Sequence, residues 1–254
     1  MRSALTDPRL RGIDHDGVDA AIVMAMIAAE KRFLRRLRTE QSQVVKSHLP
    51  PTGTIVEIGA GASPLLVIPS KDRDGPIMTM DIRHLPTNSI TASALMLPFA
   101  NMSISALVMV DVLHHLQEPA QFLREAERVL QVGGRLIMIE PWISWLSRVI
   151  NRHLHPEPCD PRASWNTGRR PMTDANSAIP WIIFERDKGL SATLTPHFGA
   201  PKVVPMMPLA YLVSGGVSTR VDPPGWTYPL VRWLERLPWI RRGASQALIV
   251  LERQ

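Results

Sequence analysis

The sequence has one cysteine, Cys159, among its 254 residues. That excludes an internal disulfide and any zinc site built on several thiolates, and it fits a reducing, cytoplasmic setting. The longest early apolar run, AAIVMAMIAA at 20–29, is too short to cross a bilayer, and no pattern of charge, apolar core and cleavage site opens the chain. Aromatic residues are scarce at 6%. They are not interleaved with the basic residues in the way that marks a nucleic-acid reader, so no nucleic-acid partner is favoured. No internal repeat or low-complexity tract is present.

Against these absences stand 45% hydrophobic and 20% charged residues, a composition that folds and buries a core. A net charge of +6 suits weak association with polyanions, an anionic membrane surface among them. The arginines and lysines of 31–38, 169–170 and 241–242 read first as solvated basic faces.

Residues 18–47 are predicted to form one long helix, from Ile22, Met26, Ile27, Phe33, Leu34 and Leu37 at three- and four-residue spacing. From 54 to 141 the chain alternates apolar runs with turn signals. TIVEI, PIMTMDI, ISALVMV and RLIMIEP are predicted strands, and their continuous apolar character implies a mainly parallel sheet with helices on both faces. PAQFLREAERVL is a predicted helix, ended by Gly133 and Gly134. Thirteen of the 23 prolines fall between Pro156 and Pro238, which predicts a Pro-rich, loop-rich C-terminal cap with short helices. SATLTPH and QALIVLE are expected to complete the sheet edge. The expected layout is a helical segment at 1–50, an α/β core at 51–141, and an acceptor-side cap with sheet-completing strands at 142–254, in a single domain.

The chemistry concentrates at strand ends. In IVEIGAGASPLL, Glu57 closes a strand, and Gly59, Ala60 and Gly61 form a turn where missing side chains let a ligand approach. A dinucleotide fingerprint needs glycine where Pro64 stands, which weakens a nicotinamide-dependent reductase as the alternative reading. Ser63 and Pro64 are expected to start a helix as N-cap and first residue. Asp81 follows Gly61 by 20 residues, where a carboxylate accepts hydrogen bonds from both hydroxyls of a ribose.

These motifs, with ALMLPFANMSISALVMVDVLHHLQEPAQFLREAERVLQVGGRLIMIEP, resemble the class I S-adenosylmethionine-dependent methyltransferases over residues 52–141, in particular the bacterial type 11-like group with LPF and VLHH motifs. The resemblance implies a Rossmann-like fold and S-adenosyl-L-methionine as cofactor. It places Glu57, Gly59, Ala60 and Gly61 near the methionine part, Asp81 on the ribose, and Ile82 against adenine. Ser93, Ala94 and Leu95 fall at the adenine edge, with Ser93 where relatives often carry an aspartate. Asp111 lies where the cofactor meets the acceptor pocket. Asp111, His115 and Glu140 are the candidate bases for a hydroxyl acceptor; two adjacent histidines make a poor metal site, so no metal is expected. The acceptor expected from this resemblance is a small molecule or a lipid- or sugar-linked intermediate. A non-catalytic binding protein that keeps the fold is a further alternative. In EPWISWLSRVINRHLHPEPCD, Trp142, Trp145, Arg148, Arg152, His155 and Glu157 line a pocket or form a helix face. The C-terminal YPLVRWLERLPWIRR is either an amphipathic helix packed on the sheet or a stretch that lies on an anionic membrane surface.

Overall fold

A computed structural model describes residues 6–66, 74–148, 158–168, 170 and 172–254. Helices α1 (Val18–Glu30) and α2 (Arg32–Lys46) lead into strands β1 (Ile55–Ile58), β2 (Ile77–Asp81), β3 (Ile90–Thr91) and β4 (Ile104–Val110). Helix α3 (Pro119–Val129) runs directly into β5 (Leu130–Pro141). After it come short helices α4 (Ile179–Trp181) and α5 (Lys188–Leu194), strand β6 (Lys202–Met206), helices α6 (Ala210–Ser214), α7 (Tyr228–Leu234) and α8 (Pro238–Arg241), and strand β7 (Gln246–Glu252).

The strands form one seven-stranded sheet in the order β3-β2-β1-β4-β5-β7-β6. β1 to β5 are parallel, and β7 runs antiparallel between β5 and β6. Both faces are covered. Val56, Leu107, Met109, Leu136 and Met138 pack against Phe122, Leu123, Ala126 and Val129 of α3. Their strand neighbours Ile55, Ala106, Val108, Ile137 and Ile139 pack on the opposite face with Val45 of α2. Alternation within continuously apolar strands is what a two-sided sheet requires. It also produces a crevice where the strand order reverses, between the carboxyl ends of β1 and β4, the usual ligand position in an open α/β sheet.

Three expectations need correction. The predicted helix over 18–47 breaks at Lys31, which is extended at φ −70° and ψ 108° and buried to 5% exposure. Its ammonium donates to the Gly216 carbonyl at 2.9 Å and to that of Thr219, so the break lets a buried cation find acceptors on the C-terminal cap. Gly133 and Gly134 do not end α3; they lie inside β5, where the pairing with β4 slips between Ile104↔Leu130 and Ala106↔Arg135. The glycines absorb that bulge, Gly133 at φ +76°. Finally, SATLTPH is helical over most of its length as the end of α5, and the edge strand is KVVPM instead. Its alternation is broken by Pro205, which only an edge strand tolerates.

Candidate active site

At the end of β1 the chain turns through two left-handed glycines for different reasons. Gly59, at φ +68°, has no room for a side chain, because an added Cβ would lie 2.5 Å from Val112 Cγ2. Gly61, at φ +57°, faces open space; the nearest atom to its virtual Cβ is Arg83 Nη2, 4.0 Å away. The turn is fastened to the end of β2. The Gly61 amide donates to Asp81 Oδ2 at 3.0 Å, and the Ala60 amide donates to the Met80 carbonyl at 3.1 Å. Asp81 is 3% exposed, and its Oδ1 also accepts from the backbone and Nε of Arg83 at 2.9 and 3.0 Å. Beside it, Ile82 is 60% exposed, an apolar side chain standing at the rim of the crevice.

Glu57 lies below this turn, buried. Its Oε1 accepts from the Leu65 amide at 2.6 Å and its Oε2 from the Leu66 amide at 2.8 Å. Burial pushes its carboxyl above the ordinary range, opposed by those two amides and by the charge of Arg38. Residues 64–66 are not helical, so the expected helix start at Ser63 and Pro64 is not formed there; residues 67–73 lie outside the described residues. The Ser63 carbonyl instead accepts from Arg38 Nη2. Burial lowers the Arg38 pKa, while the charges of Glu57 and Asp111 oppose that shift. Arg38 is thus partly buried and feels both acidic charges, although its sequence context reads as a solvated basic face.

Asp111 follows β4 in a left-handed conformation, φ +55°, which is uncommon outside glycine and most accessible to Asn and Asp. Gln246 at the start of β7 donates from Nε2 to Asp111 Oδ1 at 3.1 Å, and Gln41 of α2 donates to Gln246 Oε1 at 3.0 Å. Sequence reading missed this glutamine relay, since its members lie 205 and 135 positions from their partners. Glu140 at the end of β5 is fully buried. Its Oε1 accepts from the amides of Val112 and Leu113 at 2.8 Å each, and its Oε2 lies 2.7 Å from His114 Nδ1. His115 is partly exposed and stacks on His114 with ring centroids 4.0 Å apart.

On the far side of Asp81, the Ser93 hydroxyl accepts from the Leu95 amide at 3.2 Å, Ala94 is buried, and the Leu95 carbonyl takes a hydrogen bond from Gln121. No group of three or more metal-ligating side chains occurs among the described residues. Trp142 is buried in the core and Trp145 is 51% exposed; Arg152, His155 and Glu157 lie outside the described residues.

Comparison with known proteins bears on the family and the fold. Residues 72–138 match the family described as a methyltransferase domain. An uncharacterized 37.1 kDa protein in transposon TN4556 of Streptomyces fradiae is 35% identical over 96 residues, which cover 34% of this chain and 28% of that protein's length. Among solved structures, geranyl diphosphate C-methyltransferase from Streptomyces coelicolor A3(2), in complex with Mg2+, geranyl-S-thiolodiphosphate and S-adenosyl-L-homocysteine, aligns with a TM-score of 0.55 at 17% identity. The alignment covers 100% of this chain and 85% of that one. Phosphoethanolamine N-methyltransferase 2 of Haemonchus contortus, in complex with phosphomonomethylethanolamine and S-adenosylhomocysteine, aligns with a TM-score of 0.51 at 12% identity over 85% of this chain and 52% of that one.

Proposed function

We propose that this chain, which carries a methyltransferase domain on the Rossmann-like class I methyltransferase fold, transfers the methyl group of S-adenosylmethionine to a small-molecule or lipid- or sugar-linked acceptor. The observation that carries the proposal is the convergence at the β1/β4 switch point. The open Gly61 turn, the Asp81 carboxylate hydrogen-bonded to it and the left-handed Asp111 all meet there.

The residues fit the cofactor. Asp81 offers two carboxylate oxygens to ribose hydroxyls, and those hydroxyls would displace the Arg83 guanidinium from the same acceptors. Exposed Ile82 supplies an apolar surface for adenine. Ser93 spends its oxygen on the Leu95 amide, so the adenine edge is left to the backbone around Ala94 and Leu95. Gly61 leaves the space beside the turn clear. When bound, S-adenosylmethionine supplies an activated methyl group on a sulfonium for in-line displacement.

The chain's own work is positioning and, for a hydroxyl acceptor, removal of a proton. Glu140 is poorly placed for that, because it is buried and both its oxygens are taken. Its role here is to clamp the turn of residues 111–115 by gathering two amides and the His114 ring. Asp111, at the mouth of the crevice, and His115 remain the candidate bases. A small acceptor is supported by the solved neighbours, which are bound to geranyl-S-thiolodiphosphate and phosphomonomethylethanolamine.

Isothermal titration with S-adenosylhomocysteine tests the cofactor half: micromolar binding is expected, on the order of −8 kcal/mol, and absence of binding by wild type would overturn it. Incubation of a producing cell extract with labelled S-adenosylmethionine then identifies the acceptor by the fraction that gains label.

A further inference from the structure

We propose that the surface formed by α7, the turn before it and the exposed edge of α2 docks on an anionic lipid bilayer. The residues from Gly225 to Glu235 form one helical run, a single 3-10 turn at Gly225–Thr227 continuing into α7. Trp226, Leu230 and Trp233 fall at i, i+4 and i+7 of that run, so they share one face. They are 74%, 52% and 58% exposed, and Trp239 of the following helix is 60% exposed. Three tryptophans and a leucine left in solvent on one short segment differ from the scattered apolar residues of an ordinary surface.

The opposite face of the same run is firmly held, so the exposure is not a sign of a loose helix. The Tyr228 ring packs edge-on against Phe33 with centroids 5.0 Å apart, and its hydroxyl donates to Glu40 Oε2 at 2.6 Å. Arg232 Nε donates to the same carboxylate at 3.0 Å, and the Glu235 carboxylate is buried against the Leu209 and Ala210 amides.

What identifies the occupant is charge. Gly225 packs on Arg32, its virtual Cβ lying 2.8 Å from Arg32 Cβ, so Arg32 stands next to Trp226. Arg32 and Arg36 are exposed and one turn apart on α2, the edge to which Tyr228 and Arg232 are tied through Glu40. Arg236, Arg241 and Arg242 are exposed on the segment itself, whose only carboxylate between 225 and 242 is the buried Glu235. Tryptophans flanked by arginines, with no exposed acid in the segment, match the interface of an anionic membrane, where indole rings sit at the headgroup level and the cations meet lipid phosphates. The docking is peripheral: no helix among the described residues is long and apolar enough to span a bilayer. This inference rests on the surface and stands independently of the methyltransferase reading.

The test is flotation of the full chain with vesicles of phosphatidylcholine alone and of phosphatidylcholine containing phosphatidylglycerol. Flotation with the second kind only is expected. Trp226→Ala/Trp233→Ala, whose side chains lie outside the core, is expected to weaken it by roughly tenfold or more. Arg32→Ala/Arg36→Ala is expected to weaken it roughly fivefold per arginine removed. Circular dichroism and thermal melts establish that both variants remain folded. The proposal is overturned if neither vesicle carries the protein, or if the folded tryptophan variant floats like wild type. It is equally overturned if sedimentation shows a dimer that dissociates in the tryptophan variant, since the face would then be covered by a second copy.

Discussion

Gly59 and Gly61 are two residues apart and equally left-handed, yet they answer to different constraints. An alanine at 59 would drive its methyl group into Val112, so Gly59→Ala should lose roughly 2–3 kcal/mol of stability in urea denaturation, from strain and overpacking together. An alanine at 61 meets only space, so Gly61→Ala should lose roughly 1 kcal/mol from its φ alone. That variant should nevertheless bind S-adenosylhomocysteine at least about tenfold more weakly in titration, because on the proposed reading its methyl group enters the cofactor's volume. Equal binding by wild type and Gly61→Ala would remove the turn from the proposed cofactor site. Arg83 gives a second residue-scale test. On the proposed reading its ion pair with Asp81 opens for a ribose, and a partly exposed pair of this kind contributes about 0–1 kcal/mol. Arg83→Ala should therefore bind the cofactor up to about fivefold more tightly, whereas Asp81→Ala should lose binding.

At the scale of elements, carboxylates act as fasteners between an element and the loop that it meets. Glu140 gathers two amides and the His114 ring, so Glu140→Ala leaves buried donors without an acceptor and should cost about 3–5 kcal/mol in chemical denaturation. Glu125 fastens α3 to the LPF segment. It accepts from the Leu97 amide at 2.8 Å and pairs with Arg128, which in turn reaches the carbonyls of Leu97 and Phe99. Arg128 holds the Glu125 carboxyl below its ordinary value of 4.5. A depressed carboxyl pKa adds stability that is present above that ordinary value and is lost as pH falls through the folded one. Glu125→Gln should therefore cost about 1 kcal/mol at neutral pH, and the difference from wild type should shrink in denaturation curves as pH falls below the ordinary carboxyl value and through the depressed folded one. A difference that persists at acid pH would mean that the side chain acts through packing rather than charge.

For the whole molecule, the two ends of the chain complete what the middle begins. β7, from the C-terminal third, inserts between β5 and β6, and its first residue, Gln246, reaches back to Asp111. Helix α2 packs on one face of the sheet, and the junction of α1 and α2 meets the C-terminal cap through Lys31, whose ammonium is held by two carbonyls of that cap. Replacing Lys31 by methionine would strand those carbonyls without their donor. Lys31→Met should lower the melting temperature by a few degrees and, in hydrogen exchange, raise opening of α1 together with residues 214–221 before the sheet opens, at a cost of about 1–3 kcal/mol. If the sheet and these segments opened together, the terminal elements would belong to one cooperative unit with the core.

The elements that local pattern determines are those whose residues agree with one another at short range. Strands β1, β2, β4, β5 and β7 and helix α3 were legible because apolar runs and helical spacing need no distant partner to be recognised. The glycine turn and Asp81 were legible because a turn and the strand end beside it lie within one βα unit. What lay beyond the sequence came from contacts between distant positions. The break at Lys31 depends on carbonyls 185 and 188 positions away. The edge strand was mistaken because an edge tolerates the proline that local pattern penalises. Glu140 and Arg38 show the same limit at the site: residue type and position suggested a base and a solvated cation. Only the packed chain decides that both oxygens of the one are occupied and that the other is partly buried with its guanidinium on the Ser63 carbonyl, because those partners come from distant positions.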